Sequence, residues 1–235
     1  YKLNALSINA NMVGTYLNDG NQYGEGRGGW AFRHFIGQDN SLYGNSITPC
    51  TVQPTENPSY SNPFIRLADA TDKTNHPTWC FRNTGAENEL SYQDDEVKTG
   101  DFYIFDFGNY LTNNSISDPD IITIVLSTND FLRGTDLVTA HDTLVRTPAQ
   151  VISMNLLGLE IMITSIHDAC PSAQIGVIPA PVVGNSDWGN TLWSYVCMWI
   201  ENCITYVNSL EASSYLSIVP VWCHMDNSWN WAYSV

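Results

Sequence analysis

With 235 residues, 43% of them hydrophobic, the chain can bury the core of a full α/β domain and is not a disordered polymer. Asp and Glu number 24 against 9 Lys and Arg, a formal net charge of -15 that repels nucleic acid phosphate and anionic lipid alike. The partners this leaves are neutral or cationic small molecules and other protein surfaces, and no uninterrupted apolar run has the roughly 18 residues of a membrane span.

The opening Tyr1-Lys2-Leu3-Asn4-Ala5-Leu6 lacks the charged head and apolar stretch of a signal peptide, and the chain reads as if it began in mid-domain. Residues 8–16 read as a short strand. A glycine-rich loop follows, from Asn18-Asp19-Gly20 to Trp30, and Ala31 to Ile36 starts a short helix. Residues 37–100 carry many Pro, Asn, Gly and Ser. Loops this long are uncommon unless functional, so this insertion is expected to pack over the sheet and shape a pocket. Asp101 to Leu111 fits either a helix or an extended segment. Ile121 to Leu126 reads as a buried parallel strand that ends in a polar pair, Asn129-Asp130.

Thr147-Pro148 opens a long helix in which Val151, Met154, Leu157 and Ile161 recur at helical spacing, running to about Ala169 before Pro171. Gln174 to Pro179 is an apolar strand, Thr191 to about Ala212 a second long helix, and Leu216 to Trp222 a further strand. Strand, helix, strand, helix, strand predicts parallel crossovers. The expected fold is a three-layer α/β/α arrangement with a mainly parallel sheet, one domain over residues 1–235 that is incomplete at both ends.

Six cysteines show no zinc spacing. Cys50 and Cys80 flank the irregular region, where a disulfide is an option. Cys170, Cys197, Cys203 and Cys223 read as buried free thiols. His34 reads as surface or pocket wall, His76 shows no partner, and His141 and His167 read as solvated or capping residues beside helices. Asp94-Asp95-Glu96 is a solvated turn rather than a cation site. Trp30, Phe64, Trp79, Tyr92 and Trp188 fall in loops, where rings stack on sugars or line pockets, whereas Trp193, Trp199, Trp222, Trp229 and Trp231 read as core.

Two features carry chemistry. Gly24-x-Gly26-x-Gly28-Gly29 lacks the spacing of a dinucleotide fingerprint and the Gly-Lys-Ser/Thr of a P-loop, but clustered glycines let backbone N–H groups face an anion. Asn129 at a strand end can donate its amide to a developing oxyanion, with Asp130 orienting it or capping the next turn.

Together these features resemble the SGNH/GDSL hydrolases, a flavodoxin-like esterase family. Gly28-Gly29-Trp30 within Glu25-Gly26-Arg27-Gly28-Gly29-Trp30 is similar to the family's second block, which supplies an oxyanion glycine. Ser127-Thr128-Asn129-Asp130 matches the third block, Gly-x-Asn-Asp, at its last two positions, with Ser127 in place of Gly. Asn62-Pro63-Phe64 and Phe105-Asp106-Phe107 stand in the order found in some gut-bacterial members. The resemblance implies a serine esterase, with Gly29 N–H and the Asn129 side chain holding the oxyanion and Asp130 bracing the Asn129 loop. Gly28, Trp30 and Phe64 are implied at the substrate, and no metal or organic cofactor is implied.

The first block, Gly-Asp-Ser, and the last, Asp-x-x-His, do not occur in the chain. His224 in His224-Met225-Asp226 has the wrong order and spacing for the base and reads as a loop residue near the pocket rim. The nucleophile and base would therefore come from outside these residues. The expected substrate is an acyl or acetyl ester of a carbohydrate. The rival reading is a non-catalytic binding or structural module with a protein assembly partner. Low Lys with abundant Asn, Ser, Thr and Tyr suits an extracellular, cell-surface or virion setting. A nucleotide- or flavin-binding domain is disfavoured, since no helix of the needed length follows the 24–29 loop.

Overall fold

The structure is a computed structural model and describes residues 12–18, 22–27, 29–54, 60–85, 90–134, 146–179, 189–210 and 214–220. At the start, β1 (Tyr16–Asn18) pairs antiparallel with β2 (Gln22–Gly24), so part of the expected glycine-rich loop is a strand. The short helix α1 (Phe32–Phe35) follows where the sequence places it.

The 37–100 segment is built of very short elements. Strands β3 (Ser41–Leu42) and β4 (Asn45–Ser46) pair antiparallel, and β5 (Thr48–Pro49) pairs parallel with β6 (Ser61–Asn62). Then come β7 (Ile65–Leu67), α2 (Ala70–Asn75) and β8 (Phe81–Arg82). With β9 (Phe102–Phe105), β7 and β8 form an antiparallel sheet in the order β7-β9-β8.

The 101–111 segment, open between helix and extended chain, is both. β9 ends at Asp106, whose carboxylate accepts from Asn109 N–H at 2.8 Å and so caps α3 (Phe107–Asn113). The Arg66 guanidinium pairs with the same carboxylate and with Asp72. These two partners outweigh partial burial and hold Arg66 above its ordinary value; the Asp72 hydrogen bond is the largest cause.

Of the later elements, β10 (Ile121–Leu126), α5 (Pro148–Ala169), β11 (Gln174–Pro179) and α6 (Gly189–Ser209) follow the sequence closely, α4 (Thr128–Gly134) is a helix where the sequence reading had only the strand-end pair, and β12 (Leu216–Ile218) is shorter than the expected Leu216 to Trp222. Helix α5 starts with a capping box: Thr147 Oγ1 accepts from Gln150 N–H, and Gln150 Oε1 accepts from Thr147 N–H at 2.8 Å. The sheet order is β10-β11-β12, all parallel, with Ile121 opposite Gln174 and Ile175 opposite Leu216. The fold is thus α/β, with parallel and antiparallel pairing in separate sheets.

One expectation is corrected. Strand β10 is buried on one face only. Ile124, Val177, Ile175 and Leu216 point to the same side and join one apolar cluster with Val151, Leu159 and Ile166 of α5 and Trp199, Cys203 and Val207 of α6. On the other side Ile121 is 71% and Val125 52% exposed. The cause is the winding. When strands are added in one direction through right-handed crossovers, the connecting helices fall on the same face. No described helix covers Ile121 and Val125.

Helix α5 itself reaches a mean hydropathy of 1.4, enough in length and composition for a membrane span, although the chain has no uninterrupted apolar run. Its buried residues Val151, Leu159, Ile161 and Ile166 make it the central core helix here. Gly158 lets α1 approach it, since a Cβ there would stand 3.0 Å from Phe32 Cβ.

The Cys50–Cys80 disulfide is not formed; both thiols are free, as are Cys170, Cys197 and Cys203. Burial pushes the thiol of Cys80 up to about 11 and that of Cys203 up to about 12, so both stay protonated and unreactive at neutral pH. Cys223 lies outside the described residues.

Candidate functional site

The carboxyl end of β10 opens onto a cavity of about 410 Å³ walled by Glu25, Gly26, Arg27, Trp30, Ser127 and Asn129, with Phe35, Val125, Leu126 and Thr128. Two segments about a hundred residues apart in sequence therefore meet here. None of the described wall residues comes from 37–100. That insertion acts from behind, through Arg27.

The Asn129-Asp130 pair is what ties the segments together. Both residues lie in the first turn of α4. Asn129 Nδ2 donates to Trp30 O at 2.9 Å. The Asp130 carboxylate, only 1% exposed, accepts from Phe32 N–H through Oδ1 at 3.1 Å and Oδ2 at 3.3 Å. With its amide turned so that Nδ2 faces this carboxylate, the buried Asn155 of α5 donates to Asp130 Oδ1 at 2.8 Å. Phe32 is the first residue of α1, where a backbone N–H has no helical acceptor, and Asp130 supplies one from elsewhere in the chain. Asn129 Nδ2 carries two N–H bonds. One is used on Trp30 O, and the other remains for a ligand at the cavity wall.

The glycine-rich loop is held from its other end by charge. The Arg27 guanidinium is enclosed, donating from Nη1 to Ser61 O at 2.7 Å and from Nη2 to Gln53 at 2.5 Å and Glu25 at 3.3 Å. It also lies over the Trp30 ring, 4.7 Å from the centroid. Glu25 Oε1 accepts from the Thr15 hydroxyl at 2.8 Å and from Tyr110 OH. Burial first, then the neighbouring Glu25, raises the Tyr110 phenol, so it stays a donor.

Gly29 has φ +82, the left-handed region that favours glycine; a Cβ there would also stand 2.7 Å from Tyr43 Oη, the tip of an exposed side chain that can move aside. Gly29 is adjacent to the wall residue Trp30 without being a described wall residue itself.

Trp30 and Phe64, read as loop rings that stack on sugars or line pockets, part company: Trp30 stands in the cavity wall and Phe64 does not. Trp30 is 1% exposed and packs edge-on against Phe35. Phe64 is equally enclosed, stacked on Tyr110 at 4.4 Å and facing Phe105, and does not reach the cavity. Arg27 explains both, since it draws these loop rings inward around its guanidinium. Trp199 is core, as expected. Gly28 and His224 lie outside the described residues, as do His141 and Trp188.

His34 is corrected from surface or pocket wall to fully buried. Its Nδ1 accepts from Ala31 N–H at 2.8 Å, which fixes the ring proton on Nε2, facing Ser41 O at 3.1 Å and Asp39 Oδ2 at 3.3 Å. Arg33 Nε donates to the same Asp39 oxygen at 2.9 Å. Burial would raise the Asp39 carboxyl, but His34 and Arg33 more than offset it and hold it well below the usual carboxylate range. This buried triad stabilises the turn after α1, beside the site.

His76 has a partner after all: it stacks on Trp79 at 4.3 Å. His167 stacks flat on Tyr215 at 3.7 Å. In the 94–96 turn Asp95 is buried, not solvated. It pairs with Arg82 and accepts from Val97 N–H, while Asp94 accepts from the Ser91 hydroxyl.

Sequence reasoning missed Glu25, Arg27, Asn155 and Tyr110 as supports of the site. An acidic and a basic residue inside a glycine loop, in a chain with so few cations, was the available signal for the first two. No family model matches the chain, and comparison with curated proteins and with solved structures finds no match. Chemically, the cavity presents an amide donor beside enclosed aromatic and aliphatic surface, an arrangement able to hold a carbonyl or carboxylate oxygen.

Proposed function

We propose that this chain is the substrate-holding part of an ester hydrolase of the SGNH/GDSL kind, a three-layer α/β/α esterase acting on acyl or acetyl esters of carbohydrate. The observation that carries this reading is the double tie of Asn129 to Trp30 O and Asp130 to Phe32 N–H, which joins the two family-like motifs at one cavity. The Asn129 amide and Gly29 N–H are the oxyanion donors, and Asp130 fixes the segment that follows the glycine turn. Acyl transfer also needs a nucleophile with a base in hydrogen-bond reach. Here the Ser and the His are supplied by polypeptide outside these 235 residues. A neutral ester suits an acidic chain poor in cations, and the composition suits an extracellular, cell-surface or virion setting.

The test is hydrolysis of p-nitrophenyl acetate by the full-length protein and its Asn129→Ala variant. A lost oxyanion donor lowers kcat by about 100-fold or more. Equal rates would remove Asn129 from the reaction.

The rival reading is a non-catalytic binding or structural module. It is favoured by the use of Asn129 and both Asp130 oxygens in holding residues 30–32, a role that a scaffold needs equally. Under it, Asn129→Ala lowers the melting temperature and the full-length protein shows no esterase activity to lose.

A further inference from the structure

Ser127 is unusual twice over. Its φ is +109, in the region that favours glycine, and it is 2% exposed. The other non-glycine residues with positive φ, Tyr43, Lys98 and Ser115, have φ of 51–55 and sit on exposed turns. Its hydroxyl is also buried without a hydrogen-bond partner. A buried hydroxyl with no partner and a strained backbone each oppose folding, and a glycine here would relieve both.

Both oppositions fall on the residue that joins β10 to α4, in the wall of the cavity and two residues before Asn129. The backbone is over-determined at this point. Ser127 O accepts from Asp130 N–H at 3.1 Å and Phe131 N–H at 3.3 Å, so the turn is held by its backbone and takes nothing from the hydroxyl.

We propose that the Ser127 hydroxyl is a ligand contact: it rotates toward the cavity and donates, with the Asn129 amide, to an oxygen of the bound molecule. The ligand class is a neutral compound carrying an ester carbonyl oxygen. The inference rests on the ester-hydrolase reading and names a donor beyond it. Ser127 is a binding contact and not the nucleophile, since no base approaches its hydroxyl among the described residues.

The experiment titrates the ¹⁵N-labelled full-length protein and its Ser127→Ala and Ser127→Gly variants with methyl 6-acetamido-6-deoxy-glucopyranoside, an amide that keeps the carbonyl oxygen but is not cleaved by an esterase, following the Asn129 side-chain amide signal, and melts each protein thermally. The probe shifts the Asn129 signal in the native protein. Both variants bind it about tenfold more weakly. Ser127→Gly nonetheless melts higher than the native protein, which separates a lost contact from a damaged fold. Equal affinity in all three proteins overturns the role of the hydroxyl and leaves the Asn129 reading standing. A native protein whose Asn129 signal does not move removes that reading, and this inference with it.

Discussion

Replacing Asp39 by Asn is expected to destabilise the protein by about 3 kcal/mol, because it removes the charged acceptor that Arg33 Nε meets at 2.9 Å in a site where both side chains are enclosed. Urea unfolding measures this directly. The same carboxylate sets a pH dependence. Its folded pKa is depressed, so the stability it contributes is fully present above the unfolded value near about 4 and is lost as pH falls toward the folded value. The native protein therefore loses stability as pH drops below about 4, and the Asp39→Asn variant shows a shallower slope over that window. Parallel curves for the two proteins would show that Asp39 is not the titrating group.

Asp130→Ala is the second large effect, about 3 kcal/mol. The change leaves the buried N–H of Phe32 and the amide of Asn155 without their charged acceptor. Its consequence is local as well as global. The segment from Trp30 to Phe32 loses its anchor to α4, so amide exchange at Phe32 should accelerate far more than exchange at the centre of α5. If protection at Phe32 is unchanged while the protein is merely less stable throughout, Asp130 is an ordinary buried acceptor and does not hold the cavity together.

The regular half of the chain was legible because its signals are long. Thr147-Pro148 with Gln150 announces a helix start, and the strand at 174–179 and the helix after 189 have unambiguous periods. Asp106 shows why 101–111 was not legible: one carboxylate ends a strand and caps a helix, so two periods overlap within eleven residues. Strand β10 reads as a buried parallel strand because Ile-Ile-Thr-Ile-Val-Leu is what strands covered on both faces look like. What covers each face depends on the direction in which the sheet is wound, and no single strand encodes that.

The site divides in the same way. Asn129 stood out as a polar group at the end of an apolar strand. Its acceptor, Trp30 O, and the partner of Asp130, Phe32 N–H, lie 99 and 98 residues away and are backbone groups without any residue signature. Trp30 and Phe64 read as loop rings that stack on sugars or line pockets. Nothing local reveals that Arg27 would gather them into the interior.

The side of β10 left uncovered among the described residues has a consequence for how the molecule behaves in bulk. Ile121 and Val125 lie on an uncharged ribbon of six residues with none of the lysines or prolines that discourage edge-to-edge pairing, while the chain carries a net charge of -15. Mutual repulsion between copies is then the main guard against stacking of these ribbons. The reach of that repulsion shrinks from about 10 Å at 0.1 M salt to about 3 Å at 1 M. Sedimentation should accordingly show a particle that grows as sodium chloride is added, and an Ile121→Lys variant that stays small throughout.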